Sequence, residues 1–289
     1  MNSASPAGSQ FLPEETVQAI APVPDAIFER RSGRLRLLAA GHVVGEYLDA
    51  MAHLADAQVA ASQALSSDAE QQSVPFFSFN ARDHGPGETW QKALEVIISE
   101  MELTRLPEQS QTALSRLKSA TPADLESSAK AILEGNYDSI DLAAFPFLAA
   151  ALQVYWTNLA SRVKAKQAEH ASYICPICSS PPVAGIIQSD RKLRYLSCSL
   201  CATLWYVPRL TCTRCGSTEN LSYFTVDGDK NGTKAEACSQ CNTYLKLFYL
   251  ESNPGAEPFA DDLATIALDL LMAYRSYSRN GINLFLVGK

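Results

Sequence analysis

Residues 175–178 read CPIC, residues 198–201 CSLC, residues 212–215 CTRC and residues 238–241 CSQC, and these pairs contain all eight cysteines of a chain of 289 residues. Thiols scattered at random would almost never pair this way. Four two-sulfur pincers in one short segment supply the donors for two tetrahedral four-sulfur metal sites. The expected metal ligands are therefore Cys175, Cys178, Cys198, Cys201, Cys212, Cys215, Cys238 and Cys241. A CxxC turn also points its own backbone N–H groups at the sulfurs and offsets their charge. The residue that follows often needs left-handed backbone, which Gly216 and Asn242 adopt more readily than Ser179 and Ala202. On that ground the second pair of knuckles reads as closer to ideal than the first. The expected grouping runs along the chain, joining the first two pairs across 19 residues and the last two across 22, lengths that two strands fill. A nested grouping, with Cys198, Cys201, Cys212 and Cys215 on one ion, uses the same eight residues. Four thiolates suit zinc and also a single iron, so the donors leave the ion open.

The alternative use of eight cysteines, a disulfide framework, belongs to short exported chains that lack a core. This chain is 47% hydrophobic, long enough to bury a core unaided and of a size that suggests two domains. Its opening, MNSASPAGSQFLPEE, has no basic start followed by an apolar run, so no secretory signal is expected and a cytoplasmic location is, where thiols stay reduced. The longest apolar stretch, from Ala143 to Val154, falls short of the roughly 20 residues that cross a bilayer, which argues against membrane insertion. The formal charge of -7 becomes about -11 if each site adds four thiolates and a divalent ion. Such a chain repels phosphate backbones, so nucleic acid is not an expected partner. Between the knuckles the cations Arg191, Lys192, Arg194, Arg209, Arg214, Lys230 and Lys234 are interleaved with Asp190, Glu219, Asp227, Asp229 and Glu236. They read as partial neutralisation of the sulfur sites rather than as a binding stripe.

No catalytic residue is expected: the chain has no Walker loop, no HExxH, no nucleophile elbow and no GxGxxG. His42, His53, His84 and His170 are isolated, and the cysteines already complete two shells of four. Asp261 and Asp262 read as helix-start acids that complement the dipole. A thioredoxin-like role for one CxxC would need a strand-turn-helix setting and would not come as a matched set of four.

The expected fold class is α+β, in four segments. Residues 1–23, rich in Ala, Ser, Gln and Pro, form a loosely ordered arm, with a short helix after Pro13. Residues 24–170 form a helical domain. Within it Val44, Tyr47, Leu48, Met51, Leu54 and Ala55 recur at helical spacing, and after a break from Ser73 to Gly87 Trp90, Leu94, Ile97, Ile98 and Met101 resume it. Thr121, Pro122, Asp124 and Gly135 mark both ends of another helix, and Leu142–Ala168 reads as a further one. Residues 171–252 form the metal-binding domain, with four-cysteine modules at 171–210 and 211–252. Its extended runs RYLSC, TLWYVPRL, NLSYFTV and YLKLFYL read as small antiparallel sheets, with a hairpin turn over Asp227–Gly232. Residues 253–289 form a C-terminal helix and tail packing back on the core, with Leu263, Ile266, Ala267, Leu270, Leu271 and Tyr274 as a stripe that must be covered.

The runs SYICPICSSPPVAG, RYLSCSLCATLWYVPRLTCTRCGS, EACSQCNTYLK and ADDLATIALDLLM closely resemble the FdhE family, accessory proteins of formate dehydrogenase. The resemblance covers roughly Ser172 to Val287; the first half contributes compatible length and helical character. It implies an N-terminal helical domain followed by a small β-rich double rubredoxin- or zinc-ribbon-like metal domain, with iron or zinc, one ion per four-cysteine site. The family's four CxxC pairs fall on the eight cysteines named above without a gap. It implies a cytoplasmic, chaperone-like factor, not an enzyme, that binds the catalytic subunit of a respiratory molybdenum or tungsten formate dehydrogenase during maturation. The alternatives are a rubredoxin-like electron-transfer protein acting on that client and, behind it, a zinc-ribbon nucleic-acid-binding protein. The family pattern commonly has a glutamate before the tryptophan that follows the second pair, where Leu204 precedes Trp205, and a proline where Leu284 stands. Neither departure touches a cysteine. They bear on the partner surface, to which Arg194, Trp205 and Arg209 either contribute or lend support through the sheet.

Overall fold

A computed structural model describes residues 17–68, 80–102, 106–163, 173–229 and 231–286. The first helix, α1 (Pro24–Ala39), opens on a proline whose missing N–H would have no partner in the first turn anyway. The chain reverses at Gly41, whose φ is 71°, and continues as α2 (Gly45–Asp68). His42 holds that reversal, accepting from Val44 N at Nδ1 (3.2 Å) and meeting the Ala264 carbonyl at Nε2 (2.9 Å). Leu48, Met51, Leu54 and Ala55 of the predicted stripe are buried along α2.

The predicted break after Ser73 ends in one turn, α3 (Ala81–His84), while its VPFFSF run lies outside the described residues. Next comes α4 (Thr89–Glu100), which buries Trp90, Leu94, Ile97 and Ile98. A helix that the sequence pattern did not reveal, α5 (Glu108–Ser119), buries only Ala113 and Leu114, too few apolar positions to stand out. For α6 (Pro122–Glu134) the cap is as the sequence predicts: Thr121 Oγ1 accepts from Asp124 N, Asp124 accepts from Thr121 N, and Gly135 closes the helix at φ 81°. The central helix, α7 (Phe145–Arg162), is buried along most of its length, packed by α2 and α4. It is shorter than Leu142–Ala168, whose residues from 164 on lie outside the described residues.

The β strands are β1 (Ala19–Ile20), β2 (Pro182–Ile187), β3 (Arg194–Cys198), β4 (Leu204–Tyr206), β5 (Leu221–Phe224), β6 (Lys234–Cys238), β7 (Thr243–Tyr249) and β8 (Ser278–Arg279). The sequence suggested separate small antiparallel sheets; the structure has one sheet, ordered β1-β4-β3-β2-β7-β6-β5, with β8 also on β7. The two antiparallel triplets join where β2 runs parallel to β7, pairing Gly185 with Leu247 and Ile187 with Tyr249. The predicted turn over Asp227–Gly232 connects β5 to β6, with Asp229 accepting from Asn231 N and Thr233 N.

The expected loose arm is corrected over its described part. Ala19 and Ile20 pair with Trp205 and Leu204 as an edge strand, because β4 leaves backbone groups open there. Residues 1–16, including the helix expected after Pro13, lie outside the described residues. The C-terminal helix is also corrected. It breaks at Thr265 into α8 (Pro258–Ala264) and α9 (Ile266–Tyr274), so the predicted stripe splits: Leu263 is buried, whereas Leu270 and Tyr274 are exposed and Leu268 and Met272 face the sheet.

One apolar core runs from Phe28, Trp90, Leu152 and Trp156 of the helices into Val183, Leu196 and Trp205 of the first triplet. A smaller one, of Ala235, Ala237, Tyr244, Leu268 and Met272, lies under α9. Buried charge sits between them. Asp262 meets Lys246 (3.2 Å) and Arg279, and Asp269 meets Lys246 (2.7 Å) and Arg279 (3.0 Å). Asp261 stands in the first turn of α8, as the sequence suggests, and pairs there with Arg34 of α1 (2.6 Å); Asp262 in addition sits at the centre of an ion network.

Burial alone would raise the Asp262 carboxyl, but Lys246 and Arg279 outweigh it and hold the group below the usual carboxylate range. A depressed carboxyl gives stability that is full above its unfolded value of about 3.9 and is lost as the pH falls through the lower folded value. Urea unfolding should therefore show a flat stability from neutral pH to about 5 and a decline below about 4. Asp262→Asn should cost about 3 kcal/mol, since it leaves buried Lys246 and half-buried Arg279 short of a partner.

Candidate metal centres

Each triplet is built the same way: a knuckle, a strand, a second strand, a second knuckle and a third strand. The first knuckle of each closes on itself alike. Cys175 N donates to Ser180 O (2.9 Å) and Ser179 N to Cys175 O (3.0 Å); Cys212 N donates to Ser217 O (2.7 Å) and Gly216 N to Cys212 O (3.0 Å). The second knuckle hangs between β3 and β4 in one triplet and between β6 and β7 in the other. All four residues after the knuckles are left-handed, with φ of 61° at Ser179, 56° at Ala202, 76° at Gly216 and 53° at Asn242. The first site is thus as regular as the second despite its residue types, with Ser179 and Ala202 carrying strain of roughly 1–2 kcal/mol each that the sulfur geometry imposes.

The sulfurs gather in sequential order. Cys175, Cys178, Cys198 and Cys201 form one cluster and Cys212, Cys215, Cys238 and Cys241 the other, with the Sγ atoms of each within 4.8 Å of one another. The nested grouping is not formed. Sγ separations are 3.6 Å for Cys175–Cys201, 3.3 Å for Cys178–Cys198, 3.6 Å for Cys212–Cys241 and 3.8 Å for Cys215–Cys238. Four sulfurs at about 2.3 Å from one centre stand about 3.8 Å apart, so each cluster fits one thiolate-bound ion.

Backbone donors surround the sulfurs: Ile177 N to Cys175 Sγ (3.4 Å), Leu200 N to Cys198 Sγ (3.3 Å) and Arg214 N to Cys212 Sγ (3.4 Å). Two side chains that sequence reading passed over join them. Thr203 Oγ1 lies 3.1 Å from Cys201 Sγ and Thr243 Oγ1 3.1 Å from Cys241 Sγ. The visible signal was a repeated CxxCxT at both second knuckles.

Of the predicted neutralising cations, Arg194, Lys192 and Lys234 are engaged elsewhere. Arg194 is fully buried and gives its guanidinium to Glu236 and to the carbonyls of Val207, Pro208 and Thr211, tying β3 to the link between the triplets and to β6. Lys192 pairs with Glu251, Lys234 lies over Tyr249, and Arg209 and Arg214 are exposed. Trp205 is buried. No histidine joins either cluster among the described residues: His42 holds its turn, His53 lies beside Asp49 and Asp56 on α2, and His170 and the His84 side chain are outside the description.

The centres differ in exposure. All four cysteines of the first are buried, whereas in the second Cys215 is exposed and Cys241 half-buried. Burial pushes the Cys175 and Cys198 thiols well up and Cys212 up to about 12. Burial would raise Cys241 too, but the Thr243 hydroxyl and neighbouring thiols bring it down to about 7. An ion that enters either quartet must displace protons, so acid competes with it.

The first centre is also fastened to the helices. Gln153 of α7 donates to Ser199 O (2.9 Å), inside the knuckle, and its Oε1 accepts from Arg31 (3.1 Å) and Gln58 (3.1 Å). On the other side Ala81 N donates to Cys178 O (3.1 Å).

Two four-thiol ribbons in one sheet, set against a helical layer, define an α+β protein with tandem rubredoxin- or zinc-ribbon-like centres. The comparisons narrow this. The FdhE N-terminal profile matches residues 17–172, the FdhE central-domain profile residues 174–209 and the FdhE C-terminal-domain profile residues 210–286. "Protein FdhE homolog" of Cronobacter sakazakii is 36% identical over 277 residues, covering 90% of this chain and 88% of the relative. That of Serratia proteamaculans is 35% identical over 301 residues, covering 96% and 95%. The crystal structure of the FdhE protein from Pseudomonas aeruginosa superposes with a TM-score of 0.80 at 34% identity, covering 94% of this chain and 99% of that one. The chain belongs to the FdhE family.

Replacing Cys212 and Cys215 together by serine should lower the metal content of purified protein from two ions per chain to one, read by elemental analysis. Gln153→Leu should cost about 2 kcal/mol in denaturant unfolding, because it strips partners from the buried Ser199 carbonyl and the Arg31 guanidinium.

Proposed function

We propose that this chain is a cytoplasmic, non-enzymatic accessory factor for maturation of a respiratory molybdenum or tungsten formate dehydrogenase, and that it binds the catalytic subunit. Membership of the FdhE family across nearly the whole chain carries the reading. The fold supports it: among the described residues no helix is long and apolar enough to cross a membrane, Gln153 ties a knuckle of the first centre to α7, and Arg34 ties α1 to α8.

In this reading Cys175, Cys178, Cys198 and Cys201 hold one ion, iron or zinc, and Cys212, Cys215, Cys238 and Cys241 hold a second. When bound, each ion adds crosslinks to a module with little core of its own, so part of its binding energy is folding energy. Thr203 and Thr243 orient their sulfurs, and the knuckle amides offset thiolate charge. A second reading, a rubredoxin-like electron carrier for the same client, draws on the exposure of Cys215 in the second centre.

Co-expression with a tagged catalytic subunit should co-purify the chain at a fixed ratio, and absence of the complex from cells holding both proteins overturns the client reading. Anaerobically prepared protein that is red when oxidised and bleaches reversibly supports the carrier reading; colourless protein with zinc alone ends it.

A further inference from the structure

Among the described residues the two triplets differ at their outer strands: β4 is covered and β5 is not. At the β4 end β1 adds a strand, Tyr206 N donates to Gln18 O (2.9 Å) and the Tyr195 hydroxyl donates to Val17 O (2.9 Å). At the other end, β5 has β6 on one side and, among the described residues, no strand on the other. Ser239 N donates to Asn220 O (3.1 Å), which fixes the alternation of the β5–β6 ladder. Ser222 and Phe224 bond to β6, and Leu221 and Tyr223 turn their N–H and C=O outward.

The first triplet shows what such an edge accepts. Gly185 of β2 stands opposite Leu196, two residues before Cys198, and Tyr223 of β5 stands opposite Glu236, two residues before Cys238. The two positions are equivalent. In β2 that edge is filled by β7, running parallel, with Leu250 N donating to Ile187 O (3.0 Å). The strand that fills it is the third of a triplet. This chain has two such strands: β4 is covered by β1, and β7 by β2 and β8. A second copy therefore has no third strand to offer, and stacking of copies head to tail is blocked.

We propose that the outer edge of β5 takes a strand from the client: an extended, apolar segment with few acids, running parallel to β5. The inference rests on the client reading above and adds the surface to it. Phe224, with Arg275 stacked 4.8 Å from its ring, lines one face of the added strand, and Tyr223, whose hydroxyl donates to Glu236 (2.7 Å), lines the other. Val226 is exposed just beyond, and Glu219 and Asp227 stand exposed at the two ends of β5, disfavouring acids in the incoming segment. Main-chain bonds give such an addition its affinity, and alternate side chains its selectivity.

The test is hydrogen exchange over residues 219–226 of the full chain, alone and with the purified catalytic subunit, together with affinities of two variants. Tyr223→Pro removes an outward donor, which an edge strand tolerates; Tyr223→Val keeps the amide. The proposal expects slowed exchange in β5 on complex formation and binding by Tyr223→Pro about tenfold weaker than by Tyr223→Val, which loses the same ring and keeps the amide. Binding that leaves β5 exchange unchanged, or a folded Tyr223→Pro that binds as the wild type does, overturns the edge and leaves the client reading standing. If Tyr223→Pro loses its fold, the wild-type exchange decides alone. No binding by the wild type overturns the client reading and this one with it. A dimer in light scattering that Tyr223→Pro dissociates would give the edge to a second copy and overturn the proposal.

Discussion

The parallel pairing of β2 with β7 holds the molecule together, and every other placement follows from it. Each triplet alone is a short three-stranded ribbon; β2 and β3 of the first are buried at every position, so both of its faces are covered in the joined structure. Joined at that seam, they share one twisted sheet, and Arg194, buried against Glu236, locks β3 to β6 across it. A buried pair of this kind contributes little net stability but strongly penalises any other register, since slippage would leave a charge unpaired. Gly185 lets the strands pack closely at the seam: a Cβ there would stand 2.6 Å from Leu247 Cδ2, so the leucine side chain would have to turn away.

The seam also decides how the centres differ. The first triplet lies against the helices and shares their core, so its four sulfurs are buried and Gln153 reaches into its knuckle. The second projects beyond, covered on one face by the short helix α9, so its sulfurs reach the surface at Cys215. Two motifs of the same length and donor set thus acquire different solvent access through position in the sheet. Their local backbone is nearly identical, down to the left-handed residue after each knuckle.

Buried charge replaces apolar packing at several joints. Arg31, Arg34, Lys246 and Arg279 each meet an acid within the fold, and Asp261 and Asp262 at the start of α8 receive Arg34 from one side and Lys246 and Arg279 from the other. The short helix α8 is thereby held against both α1 and β7. Such contacts are directional, so they fix relative placement where an apolar contact would allow sliding.

The two sulfur quartets, the α+β class, the cap of α6, the turn between β5 and β6 and the family were all legible in the order of residues. Those features rest on groups close along the chain, where spacing and turn chemistry are readable directly. The fusion of two ribbons into one sheet, the added strand β1 and the split of the last helix emerged only once the chain was folded. So did the partners of Arg194, Asp261 and Asp262, the last two of which the sequence placed correctly at a helix start. Each of these depends on a partner far along the chain, such as Glu236 for Arg194 or Lys246 for Asp262, and no local pattern records which distant charge or strand edge will arrive.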